Sequence, residues 1–211
     1  MRGPRVVWKS RHRPGYDWAM FDVAHEALPY IALPGAFSSD ELDEIERMGD
    51  RLVTDKATVE GVPKASEYDA VRITETAWLH VAAETSWLYG KMTEIVRHIN
   101  EQSFQFTLTG FSDPFQYTVY HAPQGSHYDW HADHGVKTDT PRKLSLSVQL
   151  SDPAQYEGCD LETRVGKDVC IAARERGTVI AFPSYVLHRV TPITMGTRKS
   201  LVAWARGPRF K

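Results

Sequence analysis

The apolar residues of this chain repeat with one period in the first half and another in the second, and the change falls near residue 102. Ser38, with Glu41 three residues on, reads as a capping box that opens a helix. Leu42, Ile45, Met48 and Leu52 then recur every three or four residues, which predicts one buried helical face. A second helix is predicted over 85–102, with Leu88, Met92, Ile95, Val96 and Ile99 as its stripe. Beyond it the period falls to two. Phe104, Phe106 and Leu108 alternate with polar residues, and 116–120 is β-branched and aromatic. Leu144, Leu146, Val148 and Leu150 point to one side of a strand, and Ser145, Ser147 and Gln149 to the other. Residues 178–182 and 201–205 read as further strands. Helices first and short strands after predict a mainly β domain with packed helices, an α+β class, rather than alternating βαβ units.

The length of 211 residues fits one domain, and no internal repeat or linker interrupts it. The domain is predicted over 36–211, with 1–35 an irregular arm packed on it. Residues 54–71 are polar and rich in Lys, Glu, Gly and Pro, the composition either of a lid that orders over a bound substrate or of a plain surface loop. The arm carries Arg2, Arg5, Lys9, Arg11 and Arg13, yet 25 Lys+Arg against 27 Asp+Glu give a net charge of -2, which argues against a nucleic-acid partner. No run approaches the roughly 18 apolar residues of a membrane span, and the first residues reach no apolar signal region. Cys159 and Cys170 do not make a disulfide framework. The expectation is a cytoplasmic protein with free thiols, no membrane partner and an oligomeric state that the pattern leaves open.

The densest chemistry lies in His127-Tyr128-Asp129-Trp130-His131-Ala132-Asp133-His134. On a strand, residues two apart share a face, so His131 and Asp133 project together. His188, after the strand over 178–182 and the turn at Pro183-Ser184, is a third candidate ligand. Two imidazoles and one carboxylate on one face, with open positions left, form the donor set of non-haem Fe(II) oxygenases. His127 and His134 are rival ligands. A helical spacing of His127 and His131 would suit zinc, and Tyr128 and Trp130 favour a strand instead. Arg198 and Ser200 share a strand face, where a guanidinium and a hydroxyl clamp a carboxylate. Val202 and Trp204 continue that face as a pocket wall. Arg72 and Thr74, at the end of the polar segment, are candidate substrate contacts or a structural latch.

With these residues placed, the chain resembles the 2-oxoglutarate/Fe(II) dioxygenases, in particular the prolyl-4-hydroxylase-like branch and its bacterial PKHD-type relatives. The resemblance is carried by Trp87-Leu88-Tyr89, residues 115–120, Tyr128 to Asp133, residues 177–188 with Val190 and Pro192, and Arg198-Lys199-Ser200, and it covers roughly 36–206. It implies a double-stranded β-helix, or jelly roll, with supporting N-terminal helices. It implies Fe(II) on His131, Asp133 and His188, and 2-oxoglutarate on Arg198 and Ser200, with Tyr120 contacting the co-substrate. Gln149 falls where some relatives carry another co-substrate-binding tyrosine. Tyr128, Arg72 and Trp204 then fall to the substrate pocket. O2 is the second co-substrate and ascorbate a supporting reductant. The implied reaction hydroxylates an unactivated C–H bond of a small-molecule or peptidyl substrate, a prolyl group or a free amino acid, and releases succinate and CO2. Asp133 argues against the halogenating relatives, which lack that carboxylate. Cys159, in a segment where many relatives carry a Gly-Gly pair, marks a departure in the neighbouring loop. The alternative outside this class is a jelly-roll module that binds zinc or another divalent metal without oxygenase activity.

Overall fold

A computed structural model of the chain describes residues 29–53, 55–56, 71–135 and 139–209. The arm up to residue 28, and the predicted lid apart from residues 55, 56 and 71, lie outside the described residues. Strand β1 (Ile31–Leu33) precedes helix α1 (Ser39–Asp50), followed by β2 (Asp55–Lys56), β3 (Arg72–Ile73), β4 (Glu75–Leu79) and helix α2 (Ser86–Ile99). Then come β5 (Gly110–Phe111), β6 (Phe115–His121), β7 (His127–His131), β8 (Arg142–Gln149), β9 (Tyr156–Gly158) and β10 (Leu161–Val165). The chain continues through β11 (Asp168–Ile171), β12 (Val179–Pro183), β13 (Leu187–Val190) and the long β14 (Ile193–Arg206).

These strands form two antiparallel sheets. The larger runs β1-β12-β8-β14-β6-β4-β2, with β5 and β9 also on β14, and the smaller runs β11-β10-β13-β7-β3. The alternation read from the sequence assigns the larger sheet's two faces. Tyr117, Val119, Leu144, Leu146, Val148, Leu201, Ala203 and Ala205 pack with Leu42, Ile45 and Met48 of α1 and Leu88, Met92 and Ile99 of α2 in one apolar core. The intervening residues Tyr120, Ser147, Arg198, Ser200 and Trp204 line a cavity shared with the smaller sheet. A second cluster, with Tyr156, Leu161, Ile180, Phe182 and Val190, packs beside it. The architecture is the predicted mainly β fold with helices packed on one side of a jelly-roll core.

Three expectations need correction. Leu52 is 48% exposed because α1 ends at Asp50 and Arg51 caps it, so the helical face stops one turn earlier. The second helix keeps its α geometry only to Ile99 and continues as a π-helical turn, Asn100–Phe104. The alternation of Phe104, Phe106 and Leu108 accordingly forms no strand. Gln105 takes a left-handed φ of 53°, and the Asn100 side chain bonds both the N–H and the carbonyl of Phe106 at 2.9 Å. Those bonds satisfy the backbone that a strand would have paired, while Phe104 and Phe106 stack at 5.7 Å.

Candidate metal and co-substrate site

His131 ends β7 and pairs in register with His188 of β13, so the smaller sheet sets the two imidazoles side by side. Asp133 follows β7 by two residues, and its N–H donates to the carbonyl of Ser184 at 2.9 Å. That bond turns the carboxylate back toward the histidines, with Nε2 of His131 3.7 Å from Oδ1 and Nε2 of His188 3.4 Å from Oδ2. One ligand atom from each of the three residues lies within 4.8 Å of the others. Nδ1 of His131 sits 2.7 Å from the carbonyl of Asp129, and Nδ1 of His188 3.0 Å from that of Val186. A carbonyl only accepts, so Nδ1 carries a proton in both rings, and Nε2 is the atom each ring turns toward a metal.

Electrostatics agree with this tautomer. Burial, and after it the neighbouring His188, pushes the pKa of His131 down to about 4 against the pull of Asp133, so the ring is neutral at pH 7. Burial opposes ionisation of Asp133. The histidines and the bonds from Trp204 and Ser145 outweigh it and hold the carboxyl below its usual range. Both bonds land on Oδ2, from Ser145 Oγ at 2.8 Å and Trp204 Nε1 at 2.8 Å, and Ser145 and Trp204 are direct cross-strand partners on β8 and β14. Ser184 Oγ lies 2.9 Å behind Ser145 Oγ.

The opposite wall comes from the larger sheet. Arg198 is 2% exposed and pairs across strands with Tyr120, whose ring centroid lies 5.4 Å from the guanidinium carbon. Nη2 of Arg198 donates to Gln149 Oε1 at 2.8 Å, and Gln149 Nε2 donates to the carbonyl of Ala173 at 3.0 Å. Nη1 is buried and makes no hydrogen bond. Ser200 lies opposite both Thr118 and Gln149 in register. Burial pushes the Tyr120 phenol up to about 12, so it stays a neutral donor.

The cavity between these walls measures about 570 Å³, within the range of small-ligand sites. It brings His131, Asp133, His188, Arg198, Ser200, Tyr120, Tyr128, Arg72 and Trp204 together. Gln149 reaches it through Arg198. His127 and His134 stay outside the metal cluster, their Nδ1 atoms 2.9 Å from the Gly125 carbonyl and 3.3 Å from the Arg142 carbonyl. Residues 127–131 are extended, which removes the helical spacing a local zinc pair needs. Tyr128 is three residues from His131, and a regular strand would set them on opposite faces. A register shift between His188 and Val190 re-aims β7, and the Tyr128 ring stacks on His131 with centroids 3.5 Å apart.

Sequence reasoning missed Ser145, Ser184 and the indole N–H of Trp204 as supports of Asp133. It also missed Arg142, which lines the cavity with its guanidinium carbon 3.7 Å over the Trp204 ring. The available signal was the shared inward face of Ser145, Ser147 and Gln149.

Two imidazoles that turn Nε2 toward one ionised carboxylate fit a divalent first-row metal such as Fe(II). The unpaired, buried Nη1 of Arg198 fits a ligand carboxylate. Comparison with known proteins points the same way. Residues 115–206 match the profile of the 2OG-Fe(II) oxygenase superfamily. A PKHD-type hydroxylase of Parvibaculum lavamentivorans is 34% identical over 83 residues, 39% of this chain and 38% of that protein. The PKHD-type hydroxylase Syncc9605_1577 of Synechococcus sp. CC9605 is 37% identical over 81 residues, 38% of this chain and 36% of that protein. The matched segment therefore spans less than two fifths of these curated relatives. The crystal structure of a Pseudomonas putida prolyl-4-hydroxylase superposes with a TM-score of 0.63 at 20% identity, covering 86% of this chain and 94% of that one. A Trichoplax adhaerens prolyl hydroxylase, solved with a hypoxia inducible factor peptide, gives 0.67 at 15% identity over 84% of this chain and 83% of that one.

Residues 115–206, less than half of the chain, thus resemble the 2OG-Fe(II) oxygenase superfamily, and they include His131, Asp133 and His188. The curated relatives named above are PKHD-type hydroxylases, and the solved prolyl hydroxylases share the fold of this chain.

Proposed function

We propose that this protein is an Fe(II)- and 2-oxoglutarate-dependent hydroxylase that inserts oxygen into an unactivated C–H bond of an amino-acyl substrate. The observation that carries the reading is one cavity holding both the His131/Asp133/His188 donor set and a buried arginine with an unpaired N–H. When bound, Fe(II) supplies the redox chemistry by which 2-oxoglutarate, O2 and substrate C–H give succinate, CO2 and the alcohol. The chain's own residues do the rest. His131, Asp133 and His188 hold the metal and leave positions open. Arg198 binds the distal carboxylate of 2-oxoglutarate, with Ser200 and Tyr120 beside it, and Gln149 fixes the guanidinium's rotation. Phe182, Leu161 and Val190 give the cavity apolar lining that keeps water from the reacting groups. A bare metal module needs no dicarboxylate clamp, which favours this reading over a zinc-binding module.

Anaerobic titration of the protein with Fe(II) and 2-oxoglutarate tests it. The expected result is a visible charge-transfer band that His188→Ala loses and that His127→Ala and His134→Ala retain. A band that His127→Ala abolishes and His188→Ala keeps would replace the assigned centre with a local histidine cluster. Succinate release that depends on an added amino acid or prolyl peptide then identifies the substrate.

A further inference from the structure

The arginines of the cavity differ in how their charge is met. Asp133 is the single carboxylate among the described residues that line it, against Arg72, Arg142 and Arg198. Arg142 donates from Nε to Asp113 at 3.2 Å, so a carboxylate already faces it. Arg198 has its partner in the co-substrate. Arg72 has neither. It is 7% exposed, its Nε donates to Thr74 Oγ1 at 2.8 Å, and its Nη2 donates to Gln116 Oε1 at 3.1 Å. Both acceptors are neutral, and among the described residues Arg72 forms no ion pair. A guanidinium does not give up its proton at any ordinary pH. A buried cation without a counter-charge is unfavourable unless a ligand supplies one.

Position says which ligand. Arg72 lies on β3 of the smaller sheet, directly across from Tyr128, with its guanidinium carbon 4.6 Å from that ring's centroid. Tyr128 in turn stacks on His131. Arg72 is thus one aromatic ring away from the metal donors, whereas Arg198 stands on β14 of the opposite sheet. The charges of the loaded site leave Arg72 over. A divalent metal is balanced by Asp133 and one carboxylate of 2-oxoglutarate, and Arg198 is balanced by the other. Thr74 and Gln116 hold the remaining guanidinium in place without neutralising it, which is how a preorganised anion receptor is built.

We propose that Arg72 receives a carboxylate of the substrate, and hence that the substrate carries a carboxylate within a few bonds of the carbon that is hydroxylated. The inference rests on the hydroxylase reading above and narrows its substrate class. A free amino acid, the C-terminus of a peptide and an acidic side chain all supply this group, so the test separates them.

The 211-residue chain is loaded anaerobically with Fe(II) and 2-oxoglutarate. It is titrated with the free L-amino acids, with their α-carboxamides, with prolyl peptides bearing free or amidated C-termini, and with peptide pairs that exchange Glu for Gln. Binding is read as a shift of the charge-transfer band and, independently, as a change in melting temperature. The expected result is that at least one carboxylate binds about tenfold or more tightly than its amide, the scale of a hydrogen bond to a charged group. Arg72→Gln erases that preference, Arg72→Lys keeps part of it, and 2-oxoglutarate affinity stays within about twofold in both. Equal binding of acids and amides, a preference that survives Arg72→Gln, or no carboxylate binding below 10 mM each overturn the proposal. So does a loss confined to 2-oxoglutarate affinity, which would make Arg72 part of the co-substrate site. Should no band form at all, the hydroxylase reading fails by itself, and the melting-temperature comparison of acid with amide still decides whether Arg72 is a carboxylate receptor.

Discussion

Both donors that hold Asp133 reach the same oxygen, Oδ2, and this fixes the direction in which Oδ1 faces His131. Of the two, Trp204 also carries ring bulk, with the Arg142 guanidinium over the ring and the tilted Trp78 ring 6.3 Å away. Trp204→Phe keeps most of that bulk and deletes only the donor. Supports of this kind orient a metal ligand, and their loss costs about 10- to 100-fold in metal affinity. Isothermal titration with Fe(II) under anaerobic conditions should show a loss in that range with an unchanged melting temperature for the metal-free protein. Unchanged affinity would make Trp204 a wall of the cavity and no more. The sequence placed Trp204 on the face of Arg198 but held no sign of its bond to Asp133, because the two are 71 residues apart. Gln149 poses the same difficulty. Alternation showed it facing inward, and only the structure shows it gripping Arg198.

At the scale of elements, α1 meets the larger sheet through a residue that helix propensity disfavours. Gly49 lies against the ring of Tyr117, and a Cβ there would overlap that ring. The Tyr117 hydroxyl donates to Asp50 Oδ1 at 2.6 Å, so the ring has no easy retreat. Alanine would add about 1 kcal/mol of helix propensity, yet overpacking of this kind costs about 1–3 kcal/mol. Gly49→Ala should therefore lower the denaturation midpoint, and a raised midpoint would mean the ring moves freely. The strand ends carry a second constraint. Asp113, just before β6, accepts from Arg142 Nε of β8 at 3.2 Å and from Arg206 Nε of β14 at 3.0 Å. Burial raises its pKa, and the two arginines overcome that and lower it. Its contribution is therefore full above the pKa of an unfolded aspartate, near 3.9, and is lost as pH falls through the lower folded value. Urea midpoints across pH 2 to 6 should drop more steeply at the acid end in the parent than in Asp113→Asn. Parallel curves would remove Asp113 from that role. Legibility at this scale followed periodicity: the capping box at Ser38 and Glu41 forms as read, Ser38 accepting from the Glu41 N–H at 3.3 Å. The same periodicity misread 104–108, where the Asn100 side chain serves the backbone in place of a neighbouring strand.

For the molecule as a whole, the faces of each strand were legible but their partners were not, since the pairing of β14 with β6 and β8 joins segments 50 and more residues apart. The consequence matters for stability. The candidate metal donors His131 and His188 belong to β7 and β13 of the smaller sheet and Asp133 follows β7, whereas Arg198 belongs to the larger sheet. On the proposed function, a metal alone should tighten only the smaller sheet's edge of the cavity, and 2-oxoglutarate bound to both the metal and Arg198 should tie the two sheets together. Ligand at about 100 times its Kd stabilises by about 2.7 kcal/mol. A chain of this size gains about 2–4 °C per kcal/mol. Anaerobic melting should then rise by several degrees with Fe(II), and by a further increment of about 5–10 °C when 2-oxoglutarate is added. Without metal, 2-oxoglutarate should add little. Arg198→Ala should keep the metal's increment and lose the co-substrate's, while His188→Ala should lose both. An Arg198→Ala protein that still gains the full co-substrate increment would show that the dicarboxylate does not span the sheets, and its clamp would have to be sought elsewhere in the cavity.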